Sequence, residues 1–441
     1  MHQSAVKSQS TFVPMLVVGI LFFIFGFVTW LNGSLIPFLQ IVCDLNEFEA
    51  LFVTFSFYIA YTVMALPMSI ILKKTGYRNG MAIGLAIMAL GALLHIPAAI
   101  SANFMFFLVA LFVLAAGLTI LQTASNPYIV YLGPEESAAM RISIMGLVNK
   151  SAGVLVPILF TTLILADMGD ISASTMAGLD EIAKNQRVTE LSHKLIVPYI
   201  VMAIALASLI VLVKYTPLPE IEFSAVSSEE SATKTSILHF PQTVLGAIAL
   251  FFYVGVEVIA GDTIGLYGAS LGVDNFAGLT SYTMVFMVVG YLIGVSCIPR
   301  FISQQKALIG SGIAGCICIF GIVLSSTEST WLAAILWGWS GLPLIPNSIT
   351  FVALMGLAHA LVWPSVWPLA LKGLGNYTAQ GSALLIMGIS GGAILPLLFG
   401  KISHEIGDIQ YAYFIGLPCY LYILFYAFRG HAIRNWGKSV K

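Results

Sequence analysis

Three charged side chains lie within long apolar segments, and they are the residues most able to do chemistry. Lys150 falls in the fifth such segment, and Glu257 and Asp262 fall in the seventh. Each charge costs roughly 2.5–3.5 kcal/mol at the centre of a membrane-spanning helix, so it must face a cavity and a partner. The sequence predicts cation coupling at Glu257 and Asp262, with Lys150 as the partner of one of these carboxylates. A purely structural ion pair that locks two halves of the chain together is the alternative.

Uncharged amides form a second group of candidate residues. Asn32, Gln122, Asn126 and Asn149 occupy the first, fourth and fifth apolar segments. Amides offer donors and acceptors together, which suits a neutral, polyhydroxylated substrate. Asn and Gln also join helices inside membranes, so interhelical hydrogen bonding is the alternative. Because three of the four lie around helices interrupted by proline or glycine, we favour a substrate site.

The tenth segment carries His359, Trp363 and Trp367 at intervals of four residues, which predicts one shared helical face. Tryptophan rings stack on the apolar C–H side of sugars, and a histidine can donate a hydrogen bond to a hydroxyl. Lipid contact or core packing is the alternative for the tryptophans. Pro364 and Pro368 interrupt this helix, which favours a binding site over plain packing.

Two short motifs resemble enzyme sites, and neither fits well. The sequence GISG at 388–391 resembles the G-x-S-G of an intramembrane serine protease, but only His95 or His359 lies within a span to activate Ser390. Its glycines serve close helix packing equally well. The sequence GKS at 437–439 resembles the end of a phosphate-binding loop, but the first glycine of that loop is missing and no strand precedes it. The sequence therefore predicts neither an enzyme nor ATP-driven transport.

The composition of the chain indicates which class of fold must position these residues. The chain has 441 residues, of which 59% are hydrophobic and 9% are charged, and its mean hydropathy is +0.96. Soluble domains are nearer half apolar and a quarter charged, so a soluble globular fold is excluded. The 19 basic and 20 acidic residues nearly cancel, which gives no indication of a nucleic-acid partner. The five cysteines indicate neither a disulfide framework nor a metal site.

Twelve apolar segments predict an all-α polytopic membrane protein, since one span needs about 20 apolar residues. The segments fall into a six-helix bundle over 1–214 and a second one over 239–441, joined by a solvated cytoplasmic linker over 215–238. A long outer loop is expected over 167–194. The surplus apolar stretch 331–346 is too short and too proline-broken to span, so we expect it at the membrane interface with its tryptophans as anchors.

An internal repeat supports two related halves, because the sequence IMG at 144–146 recurs at 386–388. Two six-helix bundles with a site between them at mid-membrane are the architecture of a rocking secondary transporter. Fourteen basic residues fall in predicted cytoplasmic segments and four in outer loops. We therefore expect both termini in the cytoplasm and the chain in a cell inner membrane.

Four stretches of the chain resemble the fucose permease branch of the major facilitator superfamily. They read FFIFGFVTWLNGSLIPFL, LKKTGYRNG, AAGLTILQTASNPYIVYLGPEESAAMRISIMGLVNKSAG and FFYVGVEVIAGDTI. The resemblance extends over essentially the whole chain. It implies the major facilitator fold of two pseudo-symmetric six-helix bundles and an activity of sugar:cation symport by alternating access.

The residue roles that the resemblance implies apply only at positions where this sequence matches the family. Gly33 and Gln122 stand where fucose symporters carry carboxylates implicated in proton and sugar handling, whereas Asn149 matches their sugar-site asparagine. Glu257 stands where fucose symporters carry glutamine, and it resembles the Y-V-G-x-E of the glucose/galactose type. These departures disfavour fucose as the substrate and place the expected coupling in the seventh helix. The stretches GVEVIAGDTI and LVNKSAG look most like N-acetylglucosamine permeases.

The leading hypothesis is import of a monosaccharide, of hexose or N-acetylglucosamine type, by proton or sodium symport. No cofactor is expected, and sodium, if it is the coupling ion, would bind at Glu257 and Asp262. A carrier for another polyol or a disaccharide is the alternative within transport, and a membrane-embedded hydrolase using Ser390 is the alternative from another class. The expected partners are a sugar and the lipid bilayer, and the chain is expected to be monomeric.

Overall fold

A computed structural model of the chain describes residues 12–45, 47–160, 180–216, 236–273 and 278–436. Within these ranges the regular elements are helices, and no strand is formed. The first half contains α1 (Phe12–Val42), α2 and α3 (the two arms of Phe52–Ser101), α4 (Phe104–Tyr131), α5 (Ala138–Phe160) and α6 (Ile196–Tyr215). The second half contains α7 (Pro241–Asp262), α8 (Leu279–Cys297), α9 (Gln304–Leu324), α10 (Asn347–His359 with Val362–Leu371), α11 (Thr378–Met387 with Gly391–Ile406) and α12 (Gly416–Phe428).

The described residues contain eleven helical segments that are long and apolar enough to cross a membrane. One of them, Phe52–Ser101, has 50 residues and would be about 75 Å long as a single straight helix, more than twice the thickness of a bilayer core. Gly76 interrupts it with φ 76° and ψ 170°, a conformation that glycine adopts without steric cost. The segment therefore makes two passes, α2 and α3, and the prediction of twelve spans is confirmed. The chain is a multi-pass membrane protein.

Close contacts between equivalent helices shape both halves. A Cβ atom added at Gly26 in α1 would overlap the backbone oxygen of Asn149 in α5, and one added at Gly391 in α11 would overlap the backbone oxygen of Phe251 in α7. Lipid tails are as apolar as the helix surfaces, so helices in a membrane associate through close packing and not through the hydrophobic effect. Small residues permit this packing because they let the two backbones approach. The pairs α1–α5 and α7–α11 occupy equivalent places in the two halves, so the internal repeat is visible as a repeated contact.

The corner between α4 and α5 is fastened by Arg141. Its Nε donates to the backbone oxygen of Ile129 at 3.0 Å, and its Nη2 donates to that of Val130 at 2.7 Å. Its Nη1 donates to the backbone oxygen of Pro134 and to Ser137 Oγ, at 3.0 and 2.7 Å. The guanidinium thus satisfies carbonyls that the end of α4 leaves without helical partners. This corner fixes α5 relative to α4, and both helices carry candidate site residues.

The two halves meet along α5 with α8 and along α2 with α11. On the side where α5 begins, Gly294 of α8 lies against Ser143 of α5 and against Leu361. Near the middle of α11, Gly392 lies against Tyr58 of α2. The predicted linker 215–238 falls mostly outside the described residues, apart from its two ends.

Two segments outside the spans differ from expectation. The stretch 331–346 begins with a short helix, Trp331–Trp337, and of its three tryptophans Trp331 and Trp339 are exposed, at 58% and 85%. Trp337 is buried against Tyr282 and Phe286 of α8, so it packs inside the protein and does not anchor at the interface. The predicted outer loop 167–194 contains a helix, Glu181–His193, which Asp180 caps. Residues 167–179 of this predicted loop lie outside the described residues.

The glycine contacts generate a stability prediction. We expect Gly391→Ala and Gly26→Ala each to lower the midpoint of thermal unfolding in detergent, because overpacking a tight contact costs roughly 1–3 kcal/mol. The matched control is Gly310→Ala in α9, where an added Cβ meets nothing within 4 Å and alanine favours the helix. Unfolding midpoints of the purified variants test this, and equal midpoints for all three would contradict the packing account.

Candidate functional site

One cavity lies between the two halves, and eight helices line it. Its volume is about 100 Å³, whereas a single water needs roughly 10–15 Å³, so there is room for several waters or a small polar solute. The helices α1, α2, α4 and α5 contribute from the first half, and α7, α8, α10 and α11 from the second. Among the described residues α3, α6, α9 and α12 contribute none. The lining residues are Phe22, Phe25, Thr29, Trp30, Tyr58, Tyr61, Gln122, Asn126, Ile142, Gly146, Asn149, Lys150, Tyr253, Val254, Glu257, Val258, Tyr291, Trp363 and Ile389.

An ion pair between Lys150 of α5 and Glu257 of α7 joins the two halves at the cavity wall. The Nζ of Lys150 contacts Oε1 of Glu257, and each residue is only 7% exposed. The same Nζ lies 4.2 Å from the ring centroid of Trp30 in α1. The ammonium therefore has an anion and an aromatic face as neighbours. The predicted pairing of Lys150 with one carboxylate is confirmed, and the partner is Glu257.

Three of the predicted amides line the cavity and also bond within the protein. Gln122 Nε2 donates to the hydroxyl of Tyr61 at 3.2 Å, and Asn126 Nδ2 donates to the backbone oxygen of Gln122 at 2.9 Å. Asn149 Nδ2 donates to the backbone oxygen of Phe22 at 3.1 Å. The side-chain oxygens of Gln122 and Asn149 accept no hydrogen bond from the described residues. Gln122 and Asn149 thus join helices through their nitrogens and keep an acceptor for a hydroxyl donor. The Asn126 nitrogen bonds within α4.

Trp363 and Trp367 of α10 are neighbours with ring centroids 5.5 Å apart, but His359 lies before a break in the helix, so the prediction of one face for all three is wrong for His359. The helix ends at His359 and starts again at Val362, so the periodicity of four is broken between His359 and Trp363. Trp363 lines the cavity, and its Nε1 reaches Asn126 Oδ1 across the two halves at 3.4 Å. His359 and Trp367 are fully buried outside the cavity lining.

The two histidines within spans pack in the protein interior. His359 Nε2 lies 2.6 Å from the hydroxyl of Tyr420 in α12. His95, which we expected to be a packing residue, stacks on Tyr199 of α6 with ring centroids 3.9 Å apart. Ser390 Oγ donates to the backbone oxygen of Met387 at 2.7 Å. No activating histidine is therefore bonded to this serine in the described part of the chain.

Asp262 and Asn32 stand apart from the residues above. Asp262 is the last residue of α7 and does not line the cavity, although it interacts electrostatically with Glu257. The two carboxylates are five positions apart, about 7.5 Å along the helix axis. Asn32 lies in α1, but its side chain is outside the part of the chain that the structure describes.

The sequence analysis missed seven aromatic residues of the lining. They are Phe22, Phe25, Trp30, Tyr58, Tyr61, Tyr253 and Tyr291. Tyr253 carried a usable signal, since it precedes Glu257 by four residues and must share its helical face. Tyr253 and Tyr291 both interact electrostatically with Glu257. Tyr58 and Tyr61, three residues apart on α2, are stacked with ring centroids 6.3 Å apart.

Comparison with known proteins accounts for this arrangement. Residues 18–396 match the Major Facilitator Superfamily. The chain belongs to the Major Facilitator Superfamily. The glucose/galactose transporter of Brucella abortus (strain 2308) is 34% identical to it over 418 residues, which is 93% of this chain and 92% of that protein. The L-fucose-proton symporter of Escherichia coli (strain K12) is 29% identical over 450 residues, which is 98% of this chain and 97% of that protein.

Solved structures agree with the superfamily fold. The transporter FucP in its outward conformation superposes with a TM-score of 0.77 at 25% identity, and the match covers 95% of this chain and 99% of that one. The proton:xylose symporter XylE superposes with a TM-score of 0.67 at 14% identity, over 94% of each chain, which supports the fold alone. The resemblance to the fucose permease branch is confirmed. As a Major Facilitator Superfamily member the chain is a transporter and not an enzyme, so the hydrolase alternative is dropped.

The buried ion pair generates a stability prediction for this superfamily member. Lys150→Met and Glu257→Gln each leave one buried charge without its partner, which typically costs about 3–5 kcal/mol. We expect each variant to have a lower midpoint of thermal unfolding in detergent than the parent. The double variant should recover most of that loss, because neither charge then remains.

The exposed pair Lys401 and Glu405 on α11 supplies the matched control. Their charged atoms are 3.8 Å apart and both side chains are more than 60% exposed, so Lys401→Met should shift the midpoint little. Losses from Lys150→Met and Glu257→Gln that simply add in the double variant would show that the two side chains act independently.

Proposed function

We propose that this chain imports a monosaccharide by cation symport, with alternating access to the cavity between its two halves. In this proposal the bundles 1–214 and 239–441 rock about the cavity, and the linker 215–238 joins them on the cytoplasmic side. The single observation that carries the proposal is the ion pair between Lys150 and Glu257. The pair lies at the wall of a cavity between the halves, where a bound cation can take the place of the Lys150 ammonium beside Glu257.

The lining favours a neutral, hydroxylated cargo. Lys150 and Glu257 are its only Lys, Arg, Asp or Glu residues, and they neutralise each other. The remaining polar groups are amides and hydroxyls, which exchange hydrogen bonds with sugar hydroxyls without a charge penalty. Trp363 offers an aromatic ring at the same wall. The relatives named as glucose/galactose transporters support a hexose, and a competition panel of unlabelled sugars, including N-acetylglucosamine, against labelled glucose identifies the cargo.

Glu257 is the proposed site of the coupling cation. A buried carboxylate in a membrane is a functional group by default, because no packing need requires its charge. When a cation neutralises Glu257, Lys150 loses its anionic partner and the bond between the halves weakens. When the carrier is empty, the pair is neutral overall, which lowers the cost of its return through the membrane. Asp262, one and a half turns further on, is proposed as a second group on the cation path.

A proton is the favoured coupling ion, because the relatives include proteins named as L-fucose-proton symporters. Sodium at Glu257 and Asp262 is the competing assignment. The two are separated by uptake into vesicles under an imposed pH gradient without sodium. The excess of basic residues in predicted cytoplasmic segments supports an orientation with both termini in the cytoplasm. The bacterial relatives support a bacterial inner membrane.

We expect Glu257→Gln to abolish concentrative sugar uptake while exchange of internal for external sugar continues. Exchange needs no net movement of the cation, so it survives loss of the coupling carboxylate. Labelled-sugar uptake and counterflow in vesicles, normalised to inserted protein, measure the two activities. Glu405→Gln on the exposed face of α11 is the matched control and should retain both. Concentrative uptake by Glu257→Gln at the parent level would refute the assignment.

Asn149→Ala and Gln122→Ala should weaken sugar binding and leave coupling intact. An amide that bonds a buried hydroxyl contributes about 0.5–1.5 kcal/mol net, so the dissociation constant should rise roughly threefold to tenfold in each variant. Asn79→Ala is the control, since the Asn79 amide donates to a protein oxygen as well, the carbonyl of Thr75, but is exposed outside the cavity. Calorimetric titration of purified protein measures affinity. Unchanged sugar affinity in both variants would show that these amides only join helices and do not bind the sugar.

A further inference from the structure

Trp30 occupies a slot that both halves of the protein build for it. The residue is 4% exposed, and its ring lies between Gly153 of α5 and Gly261 of α7. A Cβ added at Gly153 would come within 2.7 Å of the indole Cδ1, and one added at Gly261 within 3.0 Å of Cζ3. Met284 of α8 packs against the ring as well. The indole therefore fills the gap between the halves only because both of these positions lack a side chain.

The slot lies at one end of the cavity. Gly153 follows Lys150 by three residues and Gly261 follows Glu257 by four, and the odd-numbered spans α5 and α7 cross the membrane in the same direction. The indole thus sits about one helical turn beyond the ion pair, towards the ends of both helices. Other lining residues, such as Phe22 of α1 and Ile142 of α5, lie on the opposite side of the pair along their helices. In the proposed orientation Trp30 closes the outer end.

The ion pair and the indole are physically linked through one ammonium group. Lys150 Nζ contacts Glu257 Oε1 and lies 4.2 Å from the Trp30 ring centroid. Indole is the best aromatic partner for a cation, and the attraction is strongest where water is excluded. The indole Nε1 has no acceptor among the described residues. A buried N–H without an acceptor is unfavourable, which fits a ring that leaves this slot in another state of the carrier.

We propose that Trp30 is the gate residue at the outer end of the cavity and that the ammonium of Lys150 holds its ring in the closed position. The ammonium bonds the coupling carboxylate on one side and the gate on the other. A change at Glu257 therefore reaches the gate without a longer chain of contacts. This inference rests on the proposed function for alternating access and for the sides of the membrane. It does not depend on the identity of the cargo.

The experiment measures access to the cavity from outside in the absence of sugar. Val254→Cys places a thiol on the cavity wall, and a membrane-impermeant maleimide is applied to intact cells. The five native cysteines are not among the lining residues, and the chain without Val254→Cys gives their background. We expect Trp30→Ala to speed labelling about tenfold, a change equivalent to about 1.4 kcal/mol. Trp30→Phe, which keeps an aromatic face, should stay within about twofold of the parent.

Two further variants test the role of Lys150. Lys150→Met should speed labelling by about threefold, and adding it to Trp30→Ala should change the rate little, because the ammonium acts through the ring. Trp30→Leu removes the aromatic face but fills most of the space, so it should match Lys150→Met and serves if Trp30→Ala does not insert. Trp363→Ala is the matched control, since it truncates another tryptophan of the same cavity away from the slot.

Equal labelling of the parent and Trp30→Ala would overturn the proposal, as would equal acceleration by Trp363→Ala. Additive effects of Trp30→Ala and Lys150→Met would overturn the link between the ammonium and the ring. A parent that labels slowly and transports no sugar would refute the proposed function alone. In that case the labelling rates of the parent, Trp30→Ala and Trp363→Ala would still decide whether Trp30 is the gate.

Discussion

The contact between Lys150 and Glu257 is the interaction on which the rest of this structure depends. An unpaired charge inside a bilayer is unfavourable in free energy. The protein must therefore keep the two opposite charges together or supply another partner for each. The two residues belong to different halves of the chain, so the electrostatic requirement acts directly on how the halves meet. Any rearrangement that separates α5 from α7 must also provide a new partner for each charge.

The scaffold around this contact is symmetric, but the charge is not. The pairs α1–α5 and α7–α11 approach through one glycine each, Gly26 and Gly391, against a backbone oxygen of the neighbouring helix. The first half places Lys150 on α5, whereas the stretch 378–400 of α11 contains no charged residue. A repeated framework thus carries an ion pair whose lysine has no charged counterpart in this stretch of α11. In the proposed function, the repeated framework allows the two halves to move and the ion pair makes that movement depend on a cation.

Sequence patterns predicted the parts of this structure that the membrane itself dictates. Apolar length gives the twelve spans, and the cost of a buried charge required a partner for Lys150, which the structure shows to be Glu257. Amides at 122, 126 and 149 also reach the cavity, as expected from polar groups in apolar helices. These predictions succeed because a bilayer offers no alternative solvent for polar groups.

Other features depend on packing that no local pattern reveals. The break between His359 and Val362 separates His359 from the face that carries Trp363 and Trp367, and of these two only Trp363 lines the cavity. Trp337 packs against Tyr282 and Phe286 of α8, although the composition of its segment matched an interfacial anchor. Tyrosines are common in membrane helices, so Tyr58, Tyr61 and Tyr291 gave no signal until their neighbours were known. In each case the deciding information is the tertiary direction of a side chain.

The central claim is that exchange of the cation at the Lys150–Glu257 contact couples cation movement to sugar movement. Its most direct test is cation entry driven by a sugar gradient into vesicles that contain purified protein. The parent should move the coupling cation, read by a pH-sensitive dye or by labelled sodium, together with the sugar. The variant carrying both Lys150→Met and Glu257→Gln should move sugar down its gradient without the cation. Sugar-driven cation entry at the parent rate in that double variant would contradict the account.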